Sequence, residues 1–132
     1  MKKKRIIATG IGVFIIILSA GIFAIVRDLP YMRDVHPSGI DLSSIGDGSH
    51  AGIFEHGRFS NKLTVHIAGG RIMSINIDDD LFGGSVQNVS GEVFGRVISA
   101  QDTRIDAVSG STATTAAYLR AIEDALRKGA GR

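Results

Sequence analysis

Seven consecutive residues, Asp106-Ala107-Val108-Ser109-Gly110-Ser111-Thr112, place a carboxylate, three hydroxyls and a glycine directly ahead of a helical pattern. The start of a helix offers unpaired backbone N–H groups and the positive end of the helix dipole. Gly110 allows the backbone to approach a ligand closely, and the hydroxyls converge on the same point, so the run can hold a phosphate. The dipole contributes about 0.3–1 kcal/mol to such an anion, rising to about 2 kcal/mol if the site is partly buried. That alone does not retain a cofactor. Ser, Thr and Gly ahead of a helix are also ordinary caps, and the local chemistry leaves both readings open.

The other chemistry-bearing residues are less organised. His36, His50, His56 and His66 form neither a His-Glu-x-x-His nor a Cys-x-x-Cys-His pattern. Asp78-Asp79-Asp80 lacks the alternating order and distant Glu of a calcium loop and reads as a solvated loop with Gly83 and Gly84. Asn88-Val89-Ser90 has glycosylation spacing, but Ser90 fits better as a helix N-cap. Cysteine is absent, which excludes disulfides, thiolate metal sites and a lipoprotein anchor. No nucleophile–base pair, carboxylate dyad or metal set is evident, so the sequence reads as no enzyme with a substrate pocket of its own.

The elements that would position the run follow from periodicity. His50 to Glu55 is a weak first strand interrupted by Gly52, and Gly57 marks a turn. Lys62 to Ala68 alternates, with Leu63, Val65 and Ile67 on one face and Thr64 and His66 on the other. Gly69-Gly70 signals a two-residue hairpin. Arg71 to Ile77 breaks alternation at Ile72, Ile75 and Ile77, which predicts a bulge near Met73-Ser74. Gly91 to Ala100 reads as a short helix and Thr103 to Val108 as an extended approach. After Thr112, Leu119, Ile122 and Leu126 form an apolar stripe, with Glu123–Arg127 and Asp124–Lys128 as i, i+4 pairs and Gly129 as a stop. Phe54, Phe59 and Phe94 are expected in the core. The expected fold class is α+β: a small antiparallel sheet, meander or hairpin, with two helices, preceded by one N-terminal transmembrane helix.

That N-terminal helix rests on Ile6 to Val26, a run without a charge. At ~1.5 Å per residue it spans about 31 Å, close to a bilayer's hydrocarbon thickness. A cleaved signal peptide would have a shorter apolar region and small residues at its end, whereas Ile22, Phe23, Ile25 and Val26 stand here. Lys2, Lys3, Lys4 and Arg5 place the N-terminus in the cytoplasm and the remainder outside. These four are among 15 basic residues, while all 13 acidic residues follow position 27, so the remainder carries eleven basic against thirteen acidic groups, a net −2. A nucleic-acid partner would need a basic patch that this remainder lacks. The organisation is a basic tail at 1–5, a membrane helix at 6–26, a linker at 27–43, an extracytoplasmic domain at 44–128 and a short tail at 129–132.

The run Asp106 to Thr115 resembles the flavinylation motif of FMN-binding domains, found in the peripheral subunits of sodium-pumping NADH:quinone oxidoreductase and Rnf-type complexes and in small membrane-anchored proteins. That motif has an Asp, two residues, then Ser or Thr, Gly, Ala and Thr, and commonly a hydroxyl two further on. Asp106, Ser109, Gly110, Thr112 and Thr114 fit, and Ser111 replaces the usual alanine. Upstream, Asp47 to Phe59 and Lys62 to Ile77 are similar to the family's first strands and glycine hairpin, with His50 where an aromatic is usual. The likeness covers about Ser44 to Lys128.

The resemblance implies FMN joined to the Thr112 oxygen by a phosphoester bond. A separate flavin transferase, using FAD and magnesium, would attach it and release AMP. Asp106 would assist the hydroxyl; Ser109, Gly110, Ser111 and Thr114 would shape the loop and contact the phosphate, and Thr115 is a weaker candidate. The implied role is electron transfer with a membrane redox partner or quinone-linked complex. The alternatives are a domain that binds FMN or another phosphate reversibly, a structural ectodomain of a larger complex, and a flavin-dependent reductase.

Overall fold

A computed structural model describes residues 1–27, 29–33, 35–81 and 87–131. They divide into two units, Met1–Pro30 and Tyr31–Arg132. The first is dominated by α1, Lys2–Val26, none of whose residues is buried. By length and composition it is long and apolar enough to cross a membrane. A five-residue helix α2, Leu29–Arg33, follows it along the chain.

The second unit is α+β. Strands β1 (Gly48–Phe54), β2 (Asn61–Ala68) and β3 (Arg71–Asp80) form an antiparallel meander in that order. Helices α3 (Gln87–Ala100) and α4 (Thr112–Ala130) complete it. Gly69 and Gly70 both take positive φ, 58° and 71°, as a twist-matched two-residue hairpin requires. The bulge expected in β3 is present. Ile67 pairs with Ile72 and His66 with Ser74, so Met73 is extra and 60% exposed. That one inserted residue turns Ile75 back to the core side beside Ile72, reconciling their odd spacing.

One core fills the space between sheet and helices. Leu63, Val65 and Ile67 of β2 and Ile72 and Ile75 of β3 meet Val93, Phe94 and Val97 of α3 and Leu119, Ile122 and Leu126 of α4. Each large aliphatic side chain so buried contributes about 1.5–3 kcal/mol. The closest approach is at Gly52, where an added Cβ would lie 1.9 Å from the Ala121 carbonyl oxygen. The glycine that weakens β1 as a strand is what lets α4 lie against it.

Each sheet edge is met at one residue by a side chain from outside the sheet. On β3, Gln101 Oε1 accepts from the Ile72 N–H (2.8 Å) and Nε2 donates to the Ile72 carbonyl (3.0 Å). Gln101 holds a left-handed φ of 53°, a conformation that costs a non-glycine residue about 1 kcal/mol or more and that these bonds offset. On β1, the Ile53 N–H donates to Asp124 Oδ2 at 3.0 Å. At Ile72 and Ile53, backbone groups that would otherwise be open to another strand are thereby occupied.

Four local expectations need correction. Asp78, Asp79 and Asp80 belong to β3, because Lys62 and Asn61 continue the ladder past a second irregularity at Asp78, whose carboxylate accepts from Thr64 Oγ1. Gly83 and Gly84 lie outside the described residues. Helix α3 starts at Gln87, so Ser90 is buried within the helix rather than capping it. Helix α4 runs through Gly129, which faces Ile45 and His50, to a C-cap at Gly131.

The fourth correction concerns Glu123. It is fully buried rather than paired with Arg127 on the surface. Its Oε1 accepts from the Ser38 N–H (2.7 Å), the Gly39 N–H (3.1 Å) and Thr103 Oγ1 (2.8 Å), and Arg120 lies 3.5 Å from Oε2. One carboxylate thus joins α4 to two distant segments. Part of the stretch expected as a linker is accordingly folded onto this unit, with Met32 and Val35 buried against Ala116 and Ala117.

Candidate functional site

The run from Asp106 to Thr112 enters α4 through a tight turn at 108–111. The Ser111 N–H donates to the Val108 carbonyl at 2.9 Å, and Gly110 has φ 76°, the left-handed value that glycine supplies at the third position of such a turn. Val108 is buried in the main core and anchors the turn from beneath. Ser109 and Gly110 are exposed at its tip.

Thr115 closes the turn from the helix side. It is 1% exposed, its Oγ1 donates to the Ser111 carbonyl (2.8 Å) and accepts from the Val108 N–H (3.2 Å). Its hydroxyl is therefore committed to shaping the loop. Ser111 is the N-cap of α4 but makes no side-chain capping bond, and no acidic residue occupies the first turn. Among the described residues no side chain caps the first N–H groups of α4, which is the condition for accepting an anion there.

Thr112 is the first residue of α4 and is exposed, and Thr114 is half-buried two positions on. A Cβ built on Gly110 meets nothing within 4 Å, so the tip of the turn is uncrowded at that position. Asp106 lies apart from the turn. It is exposed, and among the described residues its carboxylate takes no hydrogen bond. Its carbonyl oxygen instead accepts from Arg96 Nη1 at 2.9 Å. The structure thus draws Val108, Ser109, Gly110, Ser111, Thr112 and Thr115 into one turn and leaves Asp106 at its approach.

Residues 57–127, more than half of the 132, match the FMN-binding domain. The chain belongs to the FMN-binding domain family. Asp106 to Thr115 lie inside the matched span, as do β2, β3, α3 and most of α4. Strand β1 lies before it yet pairs with β2 along its whole length. No curated protein of similar sequence is found. Family membership supports FMN as the cofactor. The residues present fit it: an open turn, hydroxyls at its tip and uncapped helix N–H groups.

Among the described residues no three His, Asp or Glu side chains gather as a metal site. His66 Nδ1 lies 2.7 Å from Ser49 Oγ, His50 Nε2 lies 2.7 Å from the Gly46 carbonyl, and His56 stacks on Tyr31 at 4.1 Å. Phe94 meets Tyr118 edge-on in the core, and Phe54 and Phe59 cover Ala116 and Ala117 beside the first turns of α4. Burial, and then the Asp80 carboxylate 2.6 Å away, raise the Tyr118 phenol above its usual range and keep it a donor.

Two pairs of residues at this site escape sequence reasoning. Arg96 and Glu92 announce themselves only as an i, i+4 pair on α3, with nothing local to show that the guanidinium reaches the motif. Thr103 and Glu123 are separated by twenty positions, and only the folded chain joins them.

Proposed function

We propose that the protein is a membrane-anchored, extracytoplasmic flavoprotein that carries FMN on Thr112 through a phosphoester bond and acts as an electron-transfer carrier. The observation that carries this reading is the position of Thr112 within the family match: exposed, first in α4, directly after a preformed turn with an uncapped helix start. A flavin transferase using FAD and magnesium would supply the group, the Thr112 hydroxyl losing its proton as AMP leaves. Ser109, Gly110, Ser111 and Thr114 surround the phosphate in this reading, and Asp106 assists at the approach. FMN supplies reversible redox chemistry, and the protein supplies attachment and surroundings.

The N-terminal features support the location. The apolar length of α1 suits a single span, and the basic tail ahead of it favours a cytoplasmic N-terminus, leaving the domain outside. There a reversibly held cofactor would be retained only while free ligand exceeded its dissociation constant, a dependence a covalent bond removes. The electron partners would be a membrane redox protein or quinone-linked complex.

Co-expression with a flavin transferase followed by intact mass measurement tests the reading. Wild type is expected to gain one FMN adduct, Thr112→Val to lose it and Thr114→Val to keep it. An adduct that persists in Thr112→Val overturns the assignment. The uncapped start of α4 also suits reversible phosphate binding, and yellow colour released on unfolding would favour that alternative.

A further inference from the structure

Arg96 stands outside the motif, on α3, but its guanidinium touches the motif's backbone. Nη1 donates to the Asp106 carbonyl at 2.9 Å and reaches the Ala107 carbonyl at 3.4 Å. Nη2 is held by Glu92, one helical turn back, at 2.5 Å. An exposed ion pair of this type adds little to stability by itself. Its position is more informative than its energy.

The turn that leads into Thr112 is held both from the helix side and from its approach. Val108 is sunk in the core and Thr115 clamps Val108 to Ser111. On the approach, Thr103 is pinned to Glu123, Ile105 packs against the core with its N–H donating to the Thr103 carbonyl at 2.9 Å, and Arg96 then holds the Asp106 and Ala107 carbonyls, the last backbone groups before Val108. We propose that Arg96 is a positioning residue for FMN attachment: it fixes the backbone ahead of the turn and so presents the Thr112 hydroxyl in one orientation. This rests on Thr112 being the attachment site. A guanidinium suits the task because its planar fork serves two carbonyls and a carboxylate together, which a lysine ammonium on a flexible stem does not.

A neighbouring cation provides the control. Arg104 lines the same open depression beside Asp106 and pairs with Asp102, without a bond to the Asp106 or Ala107 carbonyl. Removing it changes net charge as removing Arg96 does, but leaves the brace intact.

The test uses the full-length protein in detergent with purified flavin transferase, FAD and magnesium, following the FMN adduct by mass. Arg96→Gln is expected to slow attachment about tenfold or more, since small misplacements of a reacting group are costly. Arg96→Lys should recover part of that loss and Arg104→Gln should match wild type. Melting temperatures of all three should stay close to wild type. In parallel, hydrogen exchange of the Val108 and Ser111 amides, read without any flavin, should accelerate at least about threefold in Arg96→Gln. Unchanged exchange and attachment in Arg96→Gln overturns the proposal. Equal slowing in Arg104→Gln also overturns it, because the effect would then be charge attraction to the transferase. If wild type gains no FMN, or gains it elsewhere, the Thr112 assignment falls with the attachment role of Arg96. Exchange at Val108 and Ser111 then reports separately whether Arg96 braces the turn.

Discussion

Thr115 shows how one hydroxyl can matter without touching a ligand. Its two bonds, to the Ser111 carbonyl and from the Val108 N–H, are made in a buried position. Thr115→Val preserves shape but strands the Val108 N–H, so a loss of about 1–3 kcal/mol is expected in chemical denaturation, with slower FMN attachment alongside. The motif's order was legible because residue types alone specify a hydroxyl-rich turn before a helix. The division of labour within it was not. Thr114 and Thr115 are adjacent and chemically identical, and only burial separates the loop-shaping hydroxyl from the accessible one. Glu123 is illegible for a related reason: helix spacing pairs it with Arg127, whereas its donors at Ser38 and Gly39 lie 85 and 84 positions away.

At the scale of elements, local pattern carried further. The hairpin glycines, the alternation of β2, the bulge in β3 and the apolar stripe of α4 all follow from steric rules that act within a few residues. Element ends did not follow as well, because pairing partners elsewhere extend them. Asn61 and Lys62 draw Asp79 and Asp80 into β3 despite their poor strand propensity. Gly52 is the sharpest case of one residue serving two elements. Gly52→Ala would press a methyl group against the α4 backbone at Ala121 and Ala125, atoms that cannot swing aside. It is expected to destabilise by about 1–3 kcal/mol or more, measured as a fall in thermal or denaturant midpoint.

Over the whole molecule, the 27–132 region is slightly acidic, and one of its carboxylates links stability to pH. Burial raises the Asp124 carboxyl, but the Lys128 ammonium and the Ile53 N–H outweigh it and hold the group below its usual 3.8. A depressed carboxylate stabilises the fold fully above its unfolded value, and that contribution is lost as pH falls through the folded value. Wild type should therefore lose stability below about pH 4, and Asp124→Asn should flatten the part of that slope due to this group, as followed by denaturation at a series of acidic pH values. The turn ahead of α4 has a different consequence, one of chronology. Core packing at Val108 and the Thr115 clamp assemble the turn from this chain alone, so under the proposed function folding would precede attachment, and a transferase would meet a shape instead of a string of letters. A synthetic peptide covering residues 104–116 lacks that shape and is expected to accept FMN at least about tenfold more slowly than the folded protein, having backbone order still to acquire.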